Sequence, residues 1–271
     1  MTEAAAPVPR PALMARVGPV GVALVALWAL AGLGLVTVLA MSIDAERIAL
    51  YGRRMFEGFV TTIEIVAMSF ILGAAISIPV AAGRLSRNRI SATLAYAYSY
   101  FFRGTPLIAQ AFLIYYGAGE FASELRAIGL WGFFRDAFDC AVFAFAFNTA
   151  AYQAEILAGA IRAVPIGQRE AALALGLHDV PILLRVVLPQ ALITALRPYG
   201  NEVILLIKAS AITSIITVLD LMGETRYIFS RTYDLSFYLW AAVFYLVMVE
   251  TLRRVWNRLE QRLTRHLPQS R

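Results

Sequence analysis

Seven ionisable side chains lie inside or at the edges of long apolar stretches: Glu64, Arg103, Glu155, Glu202, Lys208, Asp220 and Glu250. Where water is scarce such groups are expensive, so each must pair with an opposite charge, face a wet cavity or hold a charged ligand. Carboxylates in that setting suit the capture of a cation or the relay of a proton. Covalent chemistry fits poorly. Cys140 is the only cysteine, so the chain can form neither an internal disulfide nor a cysteine metal cluster. His178 and His266 form no HExxH pair, and neither a metal site nor a cofactor is expected. There is no GxxxxGKS/T loop with which the chain could bind ATP, and no GxSxG elbow.

The elements that must position these charges are membrane spans. Of 271 residues 60% are hydrophobic and only 15% charged, with a mean hydropathy of +0.68. A helix needs roughly 20 apolar residues to cross a hydrocarbon core of about 30 Å. Six stretches qualify: Pro19–Met41, 59–82, 92–118, 141–160, 197–222 and 237–255. The fold class expected is therefore an all-α integral membrane protein of about six transmembrane helices. The first stretch carries no charge, is too long for a secretory signal and lacks a convincing cleavage site, so it reads as an anchor helix. In the third, Phe102-Arg103-Gly104-Thr105-Pro106 predicts a kink, because proline removes a backbone donor and glycine loosens the helix.

A polar stretch interrupts this pattern between Ile161 and Arg197. Leu173, Leu177, Leu184 and Leu188 recur at helical spacing, and Pro165, Pro181 and Pro189 punctuate it. At its centre Glu170-Ala171-Ala172 and Gly176 place one acid, two small side chains and a glycine within two helical turns. Such a helix lets another protein's backbone approach closely while the charge fixes the register.

Arginine placement sets the orientation. With the N-terminus inside, fifteen arginines fall on inside segments, among them Arg10, Arg16, Arg84, Arg162, Arg169, Arg197 and six from Arg253 to Arg271, against seven on outside segments. The positive-inside bias puts both termini and the Glu170 segment in the cytoplasm. The net charge of +6 is accounted for by a basic tail beside anionic lipid and calls for no nucleic acid.

Four ordered motifs carry a family resemblance. Glu170-Ala171-Ala172…Gly176…Leu188-Pro189 resembles the EAA loop of bacterial ABC importer permeases. Phe102-Arg103-Gly104-Thr105-Pro106-Leu107, Asn148-Thr149-Ala150-Ala151-Tyr152-Gln153-Ala154-Glu155-Ile156 and Asn201-Glu202-Val203-Ile204-Leu205 resemble its polar amino-acid branch, most closely the permeases for histidine and other basic amino acids and for octopine-type opines. The resemblance runs from about Glu57 to Arg258. It implies a five-span permease core over 58–258 with the EAA loop at about 161–196, preceded by 1–57 and followed by a basic tail, 259–271. It further implies an importer in the bacterial inner membrane that is not itself an enzyme. Its partners would be separate ATP-binding-cassette ATPase subunits, a second permease that is identical or related, and an external solute-binding protein. Two features depart from the family pattern: the helix at Pro19–Met41 is additional, and Glu64 puts an acid where the family usually has none.

Roles for single residues stay open at this level. Glu170, Ala171, Ala172 and Gly176 are candidates for coupling to the ATPase. Candidates for the substrate path are Glu202, Glu64, Glu155, Arg103 and Asn148. Arg103 suits a structural pair with an intramembrane acid as well as substrate contact, and Glu155 suits architecture or gating. Glu202 is either half of a structural pair or a carboxylate that favours a cationic substrate, with Glu64 as a second acid for the same ligand. Glu202 and Lys208, six residues apart, lie about 240° apart around a helix and are not natural partners. Thr213, Ser214 and Thr217 read as helix back-bonding hydroxyls. An ion-coupled secondary transporter would also bury carboxylates, but the two halves show no convincing internal repeat.

The orientation is open to test by labelling in intact cells. In a Cys140→Ala background, Ser86→Cys should be protected from a membrane-impermeant maleimide until the membrane is permeabilised. Labelling without permeabilisation would overturn the topology.

Overall fold

The computed structural model of the chain describes residues 18–42 and 44–265. Arg10, Arg16, His266 and the end of the basic tail lie outside the described residues. The chain divides into two units between Ile48 and Ala49. In the first, α1 (Pro19–Met41) is a 23-residue helix with no buried residue. Its Gly18-Pro19 start follows a common rule, since proline at the first helical positions loses no hydrogen bond there.

The second unit is a helical bundle. Helix α2 (Ala45–Leu85) leads into α3 (Arg89–Gly104) and α4 (Leu107–Glu120), then the short α5 (Ala122–Ala127) and α6 (Trp131–Phe134). Helix α7 (Ala137–Ala163) runs through the centre, and α8 (Ile166–Ala174) and the single turn α9 (Asp179–Pro181) follow. A π-helical turn, Ile182–Val187, feeds α10 (Leu188–Ser210), which ends in a 3-10 stretch, Ala211–Ile216. Helices α11 (Leu221–Thr232) and α12 (Ser236–Leu263) complete the bundle.

Among the described residues five helical stretches are long and apolar enough to cross a membrane: Pro19–Met41, Ala45–Leu85, Ala137–Ala163, Asp179–Ile216 and Ser236–Leu263. The sixth stretch expected, 92–118, is two helices rather than one kinked span. Pro106 has no N–H to offer and drives the residue before it out of the helical region; Thr105 is accordingly extended, at φ −110° and ψ 146°. A second departure concerns the span expected to begin at Arg197. Helix α10 begins at Leu188 and passes through Arg197 unbroken. The wide π turn just before Pro189 relieves the clash that a proline ring makes with the preceding turn, so the helix survives there.

Helix α7 is central because its side chains are small. Ala141, Ala144, Ala150, Ala151, Ala154 and Ala158 are all fully buried. Small side chains let helices approach closely where no hydrophobic force drives them together in lipid. Helix α2 meets α7 at Gly73 and Ser69, and the Ser69 hydroxyl donates to Val142 O at 3.3 Å. Helix α10 meets α7 through Tyr199, whose hydroxyl donates to Gln153 O at 3.4 Å. It meets α12 at Gly200, over which Trp256 lies while its indole N–H donates to Leu196 O at 2.7 Å. Side-chain caps fix the starts of three helices. Asn88 accepts from Ile90 N, Asp136 from Phe138 N and Asp139 N, and Asp220 from Gly223 N.

Two apolar clusters result. One gathers around Phe145, Ile65, Ile216, Leu221 and Ile228, the other around Ala158, Ile161, Val187 and Ala195. Between them on α7 lies a buried polar band: Asn148, Thr149 and Gln153.

Gly73 sets the distance between α2 and α7. A Cβ there would come within 2.5 Å of Thr149 Cγ2 and 3.2 Å of Ala146 O. Alanine in a helix is worth about 1 kcal/mol over glycine, whereas overpacking typically costs about 1–3 kcal/mol. Gly73→Ala should therefore lower the thermal unfolding midpoint in detergent by a few degrees. An unchanged or raised midpoint would show that the two helices can part at no cost.

Candidate functional site

The polar band is built from three helices and closes the break between α3 and α4. Without an N–H at Pro106, carbonyls at the end of α3 lose their helical partners, and in a membrane no bulk water replaces them. Gln110, on the first turns of α4, takes over. Its amide donates to Phe102 O at 3.0 Å, to Thr105 O at 3.2 Å and to Thr105 Oγ1 at 2.7 Å. Asn148 from α7 donates to Phe102 O at 2.8 Å and to Gln110 Oε1 at 3.0 Å. Asn148 is thus committed to holding the broken helix. Gln110 was missed in the sequence, although a glutamine four residues after a proline in an apolar stretch is a readable signal.

The adjoining face of α7 presents Thr149, the next residue, and Gln153, one turn beyond it. Thr149 Oγ1 donates to Glu202 Oε1 at 2.8 Å, and Gln153 Nε2 reaches Thr149 Oγ1 at 3.3 Å and Phe70 O at 3.2 Å. Glu202 is only 7% exposed, and among the described residues no ion pair reaches it. Among the described residues no salt bridge of the kind weighed for this carboxylate is formed, and Thr149 is its hydrogen-bond partner.

The other intramembrane charges are met in different ways. Glu155 pairs with Arg84, at the end of α2, at 2.5 Å and 3.4 Å. Arg84 carries no sequence signal that would assign it this partner. Arg103 makes no salt bridge among the described residues, although its charge lies near enough to act on Glu155 and Glu202; its guanidinium lies 5.3 Å from the ring centroid of Tyr152. Arg84, Tyr96, Ser99, Arg103 and Glu155 line one cavity of about 320 Å3. Asp220 is the buried cap of α11, and the Tyr245 hydroxyl donates to its Oδ2 at 3.4 Å. Glu250 is held by Arg253 and Arg254 on its own helix, at 2.8 Å and 2.6 Å. Glu64 stands apart on the exposed side of α2, whereas Thr62, Ile65, Val66 and Ser69 face the interior, so the structure does not bring Glu64 to Glu202. Thr213 and Ser214 bond back to the carbonyls of Ser210 and Ala211. Thr217 does not: it is left-handed, at φ 69°, and its hydroxyl lies 3.3 Å from that of Tyr115.

The Glu170 segment is α8. Glu170, Ala171, Leu173 and Gly176 are exposed, while Ala172 is buried in the cluster that holds Ile182 and Val187. Gly176 terminates the helix. It lies at φ +79°, its N–H bonds to Leu173 O at 2.9 Å, and Leu177 N bonds to Ala172 O at 3.1 Å. That pair of bonds is a Schellman cap, which glycine adopts without Cβ strain. Leu173 and Leu175 stand out from the surface, 55% and 81% exposed.

A bundle of apolar helices with a buried polar band at its centre and an exposed, capped helix at one end is transporter architecture. Residues 73–265 match the family of binding-protein-dependent transport system inner membrane components. The chain belongs to this family. It is 42% identical over 208 residues to the nopaline transport system permease protein NocM of Agrobacterium fabrum, covering 76% of this chain and 86% of that one. It is 37% identical over 213 residues to the histidine/lysine/arginine/ornithine transport system permease protein HisM of Salmonella typhimurium, covering 78% and 91%. The fold superposes on a crystal structure of an amino acid ABC transporter with histidines at a TM-score of 0.72 and 32% identity, covering 82% of this chain and 99% of that one. A methionine ABC transporter in an inward-facing conformation shares the fold at a TM-score of 0.64 and 19% identity. The protein is therefore a multi-pass membrane permease of the ABC importer class.

Within this permease the two faces of the polar band can be told apart by substitution. Asn148→Leu leaves the Gln110 amide oxygen without its donor and takes one of two donors from the Phe102 carbonyl, and a buried group left unpaired costs about 1–3 kcal/mol. Membrane abundance of Asn148→Leu should fall well below that of the unaltered protein. Abundance at the unaltered level would remove Asn148 from the support of the helix break.

Proposed function

We propose that the permease moves a basic amino acid or a basic opine inward across the bacterial inner membrane, with Glu202 holding the cationic group of the substrate. The observation that carries this reading is the state of Glu202. It is a buried carboxylate of α10 with one hydroxyl donor from α7 and no salt bridge among the described residues. A carboxylate in those surroundings is destabilised until a cation reaches it, and the attraction is strong because little water screens it. The relatives supply the substrate class: nopaline, octopine, and histidine, lysine, arginine and ornithine stand in their names.

The remaining parts follow from the family. ATP is hydrolysed on separate cassette subunits, and α8 is the element they grip. Its exposed Leu173 and Leu175 supply apolar area, Glu170 a charge, and the Gly176 cap a fixed end. A second permease completes the path, and an external binding protein delivers the substrate. Both termini face the cytoplasm in this reading, because the arginines of the α2 end, of the α8 segment and of the tail then share the inner surface. The pair between Glu155 and Arg84 belongs at that inner end and supports a structural or gating role for Glu155.

Glu202→Gln keeps the shape and removes the charge. Hydrogen bonds to charged groups are worth about 1.5–3 kcal/mol, so uptake affinity for arginine or nopaline should fall roughly tenfold to hundredfold. Membrane abundance and basal ATP hydrolysis of the reconstituted transporter should persist. Normal abundance with unaltered uptake of the best basic substrate would remove Glu202 from the binding site.

A further inference from the structure

The last turns of α12 are strongly basic. From Glu250 to Arg265 five arginines stand against two acids, Glu250 and Glu260, and Arg197 of α10 joins them by donating to Glu260 Oε1 at 2.5 Å. Arg197, Asn201, Arg253 and Asn257 line a polar cavity of about 300 Å3 between α10 and α12. A second cavity, of about 460 Å3, adjoins it, and Trp256 is a wall of both. This second space is a groove between α2, α10 and α12. No charged side chain lines it, and Thr251 supplies its only hydroxyl. Ile63, Ile71, Val247 and Val255 line it and are exposed, so the groove opens on the surface of the unit. Helix α12 contributes from Val247 to Trp256, about 14 Å along its axis. Trp256 is fixed in place, lying over Gly200 with its indole N–H on Leu196 O. A tryptophan between an apolar groove and a polar cavity marks the level where hydrocarbon gives way to water.

We propose that the two cavities form one site for an anionic phospholipid, with an acyl chain in the groove and the phosphate on Arg197 and Arg253. Both arginines already meet an acid: Arg197 meets Glu260, and Arg253 meets Glu250 at 2.8 Å. A guanidinium carries five N–H donors in a fork, which one carboxylate does not exhaust, and Glu250 is shared with Arg254 at 2.6 Å. The amides of Asn201 and Asn257 add neutral donors in the same cavity. A phosphate is common to all phospholipids, but a zwitterionic headgroup adds a cation that the surplus of arginine repels. Basic pockets between membrane helices at the inner surface hold anionic headgroups for the same reason. The transported substrate does not suit the site. A basic amino acid shares the charge of the arginines, and the groove offers nothing to its polar ends. Val203 and Ile207 of α10 line the groove, so a chain seated there packs against the helix that carries Glu202.

The test uses the complete transporter, permeases with ATPase subunits, in nanodiscs doped with phosphatidylglycerol or phosphatidylcholine that carries a diazirine on one acyl chain. After irradiation the crosslinked residues are mapped by mass spectrometry. Phosphatidylglycerol should label 59–71 and 247–256 at least about fivefold more than phosphatidylcholine. Arg197→Gln combined with Arg253→Gln should bring the two lipids within about twofold of each other at those positions. Arg262→Gln combined with Arg265→Gln removes the same charge outside the cavity and should leave the preference in place. Equal labelling by both lipids in the unaltered transporter overturns the proposal, because ordinary boundary lipid would then fill the groove. So does an absence of labelling there, the outcome if a second permease covers it. Retention of the preference in the Arg197 and Arg253 variant overturns it, and so does its loss in the Arg262 and Arg265 variant, since diffuse attraction to the tail would then suffice. If the Arg197 and Arg253 variant does not assemble, the unaltered transporter and the tail variant still decide.

Discussion

A hydrocarbon interior offers no bulk water to a stranded backbone carbonyl, and this constraint organises the second unit of the chain. Pro106 strands carbonyls at the end of α3, and the amides of Gln110 and Asn148 converge on them. Once a polar group must be brought to that point from α7, the rest of the band follows with little freedom. Asn148 fixes which face of α7 looks toward α3 and α4, and Thr149 and Gln153 on adjoining positions are then turned toward α10 and α2. Glu202 receives its hydroxyl donor as a consequence. The break and the candidate site are one construction, since the residues that repair the backbone also position the carboxylate.

The intramembrane charges separate into two groups on the same physical ground. Glu155, Asp220 and Glu250 each have partners that neutralise or cap them: Arg84 at the end of α2, the first turn of α11, and Arg253 with Arg254 on the same helix. Glu202, Lys208, Glu64 and Arg103 have no ion pair among the described residues. In the function proposed above a second permease completes the path, so side chains left without salt bridges are those that a substrate, that permease or a wet channel would meet. Arg103 shows an intermediate solution, a guanidinium against the face of Tyr152, which offsets part of its cost without consuming its charge.

The all-helical class, the apolar stretches, the proline-rich interruption and the polar motifs were legible because each has a local cause. Hydropathy marks a span by composition alone, and Pro106 announces a disruption wherever it falls. What it could not announce was the severity. A kink and a clean break differ only in whether neighbours can satisfy the freed carbonyls, and those neighbours are Gln110, a few residues on, and Asn148, forty-six residues away from Phe102. The same limit hid the pair between Arg84 and Glu155, which lie 71 residues apart. It also made a structural pair for Glu202 look as reasonable as an unpaired carboxylate. The start of α10 was misplaced for a related reason: Pro189 reads as a stop, and only the π turn before it lets the helix continue.

Gly176 shows how one residue type can satisfy two demands. In the sequence its small size suggested room for an approaching partner. In the fold no atom crowds it, and its conformation is what matters: a left-handed φ of +79° that closes α8 with two bonds. A Cβ there would meet no neighbour but would carry the backbone penalty of the left-handed region, on the order of 1 kcal/mol. The cap ends the helix immediately after Leu175, so Leu173 and Leu175 stay exposed instead of being carried into a longer, self-covering helix. An uncrowded surface and termination of the helix thus meet at this glycine. The exposed apolar end of α8 exists because the chain is made to turn where it does.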